Sequence, residues 1–175
     1  MNKVQFGSGS RRLRGWANHD KDIDIRKRLP YKDESVDRIM LEHLIEHVTQ
    51  HEAYSFLNEC MRVLKVGGVV RVIFPDVKRI HENCDDTYRE FVKKHHRVEA
   101  TTKIAVEQII FNFNHLSFWT IDSMETAMKI VGFHTRTAEY NKSDDPELNG
   151  IDGHWKSIGW DAAYMESSVV EGCKA

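Results

Sequence analysis

A long amphipathic helix followed at once by a wholly apolar strand constrains this chain more than any other feature. Ala53, Phe56, Leu57, Cys60, Met61 and Leu64 recur at i, i+3, i+4, i+7, i+8 and i+11, which predicts about four helical turns with one apolar face. Gly67-Gly68 is expected to stop that helix. Val69-Val70-Arg71-Val72-Ile73-Phe74 then runs almost without a polar break to Pro75-Asp76, as a strand covered on both faces does. Met124, Ala127, Met128 and Val131 give a second helix closed by Gly132, with a strand over Phe133 to Tyr140. Val4 to Phe6, Trp16 to His19 and Ile39 to Leu41 read as earlier strands, and Asp161 to Ser167 as the last one. Strand and helix alternate, so the fold class is α/β: a mostly parallel sheet with helices on its faces.

The size and charge of the chain narrow its class. At 175 residues it reads as a single domain, 1–175, with enough length to bury a real core. A net charge of -2 argues against a general nucleic-acid or membrane-surface binder. No apolar run approaches the ~20 residues of a membrane span, and Met1-Asn2-Lys3-Val4-Gln5-Phe6 enters a strand rather than a signal peptide. Cys60, Cys84 and Cys173 are odd in number and lack C-x-x-C spacing, which suits reduced thiols and a cytoplasmic location.

Two segments carry chemistry. Phe6-Gly7-Ser8-Gly9 ends the first strand in a glycine turn that lets a ligand approach the backbone, though Arg12 stands where a third dinucleotide-motif glycine would fall. Glu42-His43-Leu44-Ile45-Glu46-His47 follows the strand Ile39-Met40-Leu41 and has two readings. His43-x-x-Glu46-His47 has the H-x-x-E-H spacing of inverted zinc peptidases, which need both imidazoles on one helix face. Alternatively, these groups lie at the carboxyl end of a parallel strand, where open α/β sheets bind ligands.

The series Phe6-Gly7-Ser8-Gly9, Gly15-Trp16-Ala17-Asn18-His19-Asp20, Asp24-Ile25, Ser35-Val36-Asp37, Glu42 to His47 and Arg62-Val63-Leu64-Lys65-Val66-Gly67-Gly68 resembles the class I S-adenosylmethionine-dependent methyltransferases. It is most similar to their type 11 methyltransferase-domain group, over residues 3 to 77 and more weakly from Asn114 to Tyr140. The resemblance implies a Rossmann-like twisted sheet with helices on both faces and an antiparallel last strand, and S-adenosyl-L-methionine as cofactor. Phe6, Gly7, Ser8 and Gly9 would lie under its methionine part, and Asp20 would accept from the ribose hydroxyls. Asp24 and the Ile25 backbone would hold the adenine, and Glu42 and His43 would sit beside the sulfonium. His43 and His115 are the candidate bases, with His43 preferred at the strand end and His47 as the further imidazole. No metal is expected, because His43 would face the cofactor cleft and His47 a packed helix.

The N-terminal half is pared down. Only nine residues separate Phe6 from Trp16 and three separate Asp20 from Asp24, whereas a parallel crossover takes a dozen or more. By contrast, 58 residues lie between Phe74 and Phe133. Ile80, Cys84, Tyr88, Phe91 and Val92 suggest one helix, and Ile104, Ile109, Ile110 and Phe113 another. Together they imply a helical cap at about 78–119, lined by Asn114, His115, Phe118 and Trp119 unless those aromatics fill a core. The acceptor expected by analogy with this group is a small molecule. Nucleic acid is disfavoured, since Glu42-His43 replaces the [D/N/S]-P-P-[F/Y] turn of DNA amino-methylating enzymes and no proline precedes a cysteine. A membrane partner is not expected, and self-association is left open. The competing classes are a catalytically inactive methyltransferase-fold binding protein and the zinc peptidase.

Overall fold

In a computed structural model that describes residues 1–99 and 101–175, six strands form one sheet. They are β1 (Lys3–Phe6), β2 (Ala17–His19), β3 (Val36–Glu42), β4 (Leu64–Pro75), β5 (His134–Ala138) and β6 (Ser167–Cys173). The helices are α1 (Gln50–Val63), α2 (Val77–Asn83), α3 (Asp86–His96), α4 (Thr102–Phe111), α5 (Ile121–Val131), α6 (Trp155–Ile158) and α7 (Trp160–Glu166). Across the sheet the order is β2-β1-β3-β4-β6-β5. β2, β1, β3 and β4 run parallel, and β6 is antiparallel to both of its neighbours. The mostly parallel, Rossmann-like architecture expected from the sequence is present.

Strand pleating explains the two faces. Ile39, Leu41, Val70, Val72 and Phe74 enter one cluster with Phe56, Leu57 and Cys60 of α1 and Met124, Ala127 and Met128 of α5. Met40 and Ile73, one residue out of phase, enter another with Tyr140, Ala163 and Val169. That second face is covered by residues 139–154 and the short α6 and α7 rather than by long helices. Both main helices start on reciprocal caps, Thr49 with Glu52 and Thr120 with Ser123. Gly132, at φ 111°, ends α5 by donating to the Met128 and Lys129 carbonyls.

Three expectations need correction. Gly67-Gly68 does not stop the first helix, because α1 ends at Val63 and Leu64 already pairs with Val36 in β4. The ladder captures the segment, and both glycines lie inside the long strand. Asp161 to Ser167 is not a strand: residues 160–166 form α7, whose Ala162, Ala163 and Glu166 share a buried face at helical spacing. The last strand starts where the β-branched pair Val169-Val170 follows. The first cap helix is two helices, α2 and α3, separated where Asp85 accepts from the Tyr88 N–H and caps a new start.

The cap has its own small core. Ile80, Tyr88, Val92, Ala105 and Ile109 pack together and onto Ala162 of α7. Ala100, within the expected cap span, lies outside the described residues. After α4 the chain returns beside the end of β3, with Leu116 and Ser117 N–H both donating to the Glu46 carbonyl. This return segment brings His115 beside Glu46.

Candidate active site

At the carboxyl end of β1 the chain turns through Gly7 (φ 67°) and Gly9 (φ 52°). A Cβ on Gly7 would meet Leu44 carbons at 3.0–3.1 Å, whereas one on Gly9 would meet nothing within 4 Å. Packing and backbone shape demand glycine at 7, and backbone shape alone at 9. Ser8 N donates to the His19 carbonyl at 2.9 Å, and Gly9 N to Asp20 Oδ1 at 3.3 Å. The turn is thereby fixed against the end of β2, with Asp20 exposed beside it. Phe6 is core: its ring stacks on His19 at 5.9 Å and meets Phe56 edge-on at 5.5 Å. Ile25 is buried at 7% exposure. Asp24 accepts two bonds from Arg26, whose guanidinium holds its carboxyl down at about 2.

Glu42, at the end of β3, is the most heavily engaged carboxylate of the site. It accepts from Arg11 Nη1 at 2.7 Å, Tyr140 Oη at 2.8 Å, Gly153 N at 2.9 Å and His154 N at 2.9 Å. With its lone pairs filled, its structural role is to clamp residues 153–154 over the glycine turn. A cleft of about 180 Å³ lies between, lined by Gly7, Ser8, Gly9, Arg11, Glu42 and Gly153. Arg11 crosses it so closely that a Cβ on Gly153 would lie 2.0 Å from Arg11 Nε.

Next to the cleft, under the cap, is a cavity of about 590 Å³ walled by His43, Glu46, His47, His115, His154 and Glu166, with Phe91 and Ile109 opposite. His43 adopts φ 50°, which turns its ring inward from the strand end. Its Nε2 lies 3.0 Å from Ser167 Oγ, its Nδ1 lies 3.5 Å from Glu46 Oε1, and its ring stacks on His154 at 3.9 Å. Burial opposes its protonation, but the Glu46, Glu166 and Glu42 carboxylates outweigh burial and raise its pKa. His115 is the opposite case: burial lowers its pKa, and its Nδ1 is 2.5 Å from the Ile109 carbonyl. That contact makes Nδ1 the donor and leaves an Nε2 lone pair facing Glu46 Oε1 at 4.0 Å.

The structure thus brings together Gly7, Ser8, Gly9, Asp20, Glu42, His43 and His115. It leaves the Asp24 carboxylate occupied by Arg26 and the Phe6 side chain in the core. Trp119, expected as cap lining, is a core residue at 2% exposure, its indole N–H donating to Ser117 Oγ at 3.0 Å. Asn114 borders the cavity, whereas Phe118 is 54% exposed. Asp76 is also structural, accepting from Lys78 N, Arg79 N, Ile121 N and Ser168 Oγ. The sequence reading missed Tyr140, Gly153, His154 and Glu166, which come from the last third of the chain. A second cavity of about 530 Å³ lies at the opposite ends of the strands. Its charges are already paired, Arg38 with Asp145 and Arg136 with Asp144 and Glu171.

Residues 11–72 match the methyltransferase domain family. A search of curated proteins returned no match. Among solved structures, the complex between the Haloferax volcanii Trm112 methyltransferase activator and the putative methyltransferase aligns with TM-score 0.56 and 13% identity, over 98% of this chain and 81% of that one. A Thermotoga maritima S-adenosylmethionine-dependent methyltransferase, described as a possible histamine N-methyltransferase, gives 0.55 and 20%, over 99% and 82%. The Haemonchus contortus phosphoethanolamine N-methyltransferase 2 in complex with S-adenosyl-L-methionine gives 0.53 and 14%, over 99% and 48%. The fold is that of the class I S-adenosylmethionine-dependent methyltransferases, and residues 11–72 carry the sequence pattern of their methyltransferase domain. No helix among the described residues is long and apolar enough to cross a membrane.

Proposed function

We propose that this protein transfers a methyl group from S-adenosylmethionine to a small molecule held in the capped cavity. The observation that carries the reading is the adjacency of the Gly7–Gly9 turn and Asp20 to a roofed, imidazole-walled cavity, all at the carboxyl ends of parallel strands. The residues suit the methyl donor with one adjustment. Gly7 to Gly9 offer backbone for close approach, and the exposed Asp20 carboxylate suits a ribose diol. The cleft of about 180 Å³ is below the roughly 300 Å³ of a small-molecule site, so Arg11 must leave Glu42 and Gly153 for the whole group to enter.

Bound there, S-adenosylmethionine would supply an electrophilic methyl on a sulfonium; positioning and exclusion of water are the protein's share. The cap excludes water, and Glu42 fixes residues 153–154 between cleft and cavity. An O–H or N–H acceptor loses its proton to the imidazole wall, through the His115 Nε2 lone pair or through a group that this lone pair holds. The paired, charge-stabilised His43 orients that wall.

Calorimetry with S-adenosylhomocysteine tests the reading. One site per chain is expected, and Asp20→Ala should weaken it by about 1–3 kcal/mol through unpaired ribose hydroxyls. No heat and no thermal shift at millimolar ligand would instead favour an inactive binding protein of this fold.

A further inference from the structure

Glu46 is in an unusual position for a carboxylate. It is 1% exposed, and neither side-chain oxygen has a hydrogen-bond donor. A buried carboxylate that no donor meets at hydrogen-bond geometry is costly, and the His43 ion pair at 3.5 Å offsets only part of that cost at Oε1. Two imidazole nitrogens approach Oε1, His43 Nδ1 at 3.5 Å and His115 Nε2 at 4.0 Å. His47 joins from the same 3-10 turn, its ring 4.9 Å from that of His115.

The tautomer of His115 makes the arrangement more pointed. With Nδ1 donating to the Ile109 carbonyl, Nε2 carries a lone pair and not a proton. A lone pair and a carboxylate oxygen then face each other across 4.0 Å. An N–H of a histidine bonded to a backbone carbonyl, with the other nitrogen aimed at a carboxylate cluster, is the outer-sphere pattern that orients metal-binding imidazoles. Donor atoms of Glu46, His47 and His115 all lie within 4.8 Å of one another.

We propose that Glu46, His47 and His115 form a divalent transition-metal site in the wall of the capped cavity. Two imidazoles and one carboxylate suit zinc and its neighbours, and an open side towards the cavity leaves room for water or an acceptor oxygen. Ligands about 2.1 Å from a tetrahedral ion are about 3.4 Å apart, so the 4.0 Å between His115 and Glu46, and separations of up to 4.8 Å within the group, need to close by roughly 0.6–1.4 Å. A side-chain adjustment of that size is within reach of the His47 and His115 rings. The neighbouring group His43, His154 and Glu166 is a weaker candidate, because Glu166 already accepts from Tyr88 Oη at 2.8 Å and bonds His154 Nε2 at 3.1 Å. The assignment reverses the sequence expectation of a metal-free site without restoring the peptidase: His47 is ligated together with His115, which lies 68 residues further along the chain, and not with His43. Metal binding is tested without a methyl-transfer readout, and a bound ion would occupy the His115 Nε2 lone pair that otherwise serves as the base.

The test uses full-length protein stripped with chelator, then titrated with cobalt(II) or zinc chloride. One cobalt per chain with visible d–d absorption of a low-coordinate N/O site is expected, displaced by zinc and accompanied by a higher melting temperature. Glu46→Gln and His115→Ala should each abolish the cobalt spectrum while circular dichroism shows a folded chain. His134→Ala, an exposed histidine at the far end of β5, should leave it unchanged. Should either site variant misfold, His47→Ala serves, its side chain being less buried than Glu46. Absence of stoichiometric cobalt or zinc binding by the folded parent overturns the proposal. So does a spectrum that survives Glu46→Gln, or one abolished by His154→Ala but not by His115→Ala.

Discussion

Replacing Arg71 by Met probes the link between the buried core and the site. Arg71 is fully buried in the middle of β4, donating to both oxygens of Asp152, to Glu171 Oε1 at 2.6 Å and to the Lys142 carbonyl at 3.0 Å. Burial alone disfavours its charge, yet Asp152 and Glu171 outweigh burial and raise its pKa. Burial likewise raises the pKa of Asp152 despite Arg71. The assembled network therefore adds little net stability, but removing the cation strands two buried carboxylates at a cost of about 3–5 kcal/mol. Each keeps one partner, Asn141 N for Asp152 and Arg136 for Glu171, which places the loss at the lower end, near 3 kcal/mol. For a chain of this size each kcal/mol is worth about 2–4 °C, so the melting temperature should fall by about 6–12 °C. Differential scanning calorimetry reads this directly. The triple variant Arg71→Met, Asp152→Asn, Glu171→Gln should recover most of the loss, and Arg136→Met, at a half-exposed partner, should cost under about 1 kcal/mol. Because Asp152 adjoins the Gly153 and His154 amides that hold Glu42, Arg71→Met should also weaken S-adenosylhomocysteine binding. A shift below about 2 °C, or a triple variant no better than the single one, would refute the reasoning.

Trp119→Ala should lose about 3–5 kcal/mol in urea denaturation, since the indole is a core residue and not a cavity wall. Glu59 gives a pH test: the Arg62 guanidinium, with the Leu29 amide, lowers its folded-state pKa. A depressed carboxylate adds stability above its unfolded value of about 4.3 and loses it as pH falls through the folded value. Glu59→Gln should therefore flatten the stability curve on the acid side of about pH 5 and leave its alkaline limb unchanged; an unaltered acid limb would show that the pair contributes nothing.

The parallel sheet was legible because β3 and β4 are apolar on both faces and α1 repeats at helical period. The glycine turn was legible because positive φ at Gly7 and Gly9 dictates the residue type there. Other features were not. Ala162, Ala163 and Glu166 sit in a segment too short for its period to be told from a strand's. Leu64 to Gly68 follow a helical pattern until pairing with Val36, 28 positions away, overrides it. The filling of Glu42 by Tyr140, Gly153 and His154, and the meeting of Glu46 with His115, are products of tertiary folding. No local spacing encodes them. His43 at the strand end drew attention first, yet its nitrogens are engaged, and the open lone pair belongs to a residue brought in by the return from the cap.

Where a crossover helix would otherwise stand between the first two strands, the chain has only the turns of residues 7–16, and the lid over them comes from residues 153–154. The stretch that carries the family pattern, 11–72, accordingly supplies only Arg11 and Glu42 to the lining of the cleft. The far wall of the cleft is residues 153–154, which Glu42 holds in place through their amides. If a ligand engages the glycine turn as proposed, its affinity and the docking of residues 139–160 share one free energy: binding should protect amides of the distant segment, and loosening that segment should weaken binding.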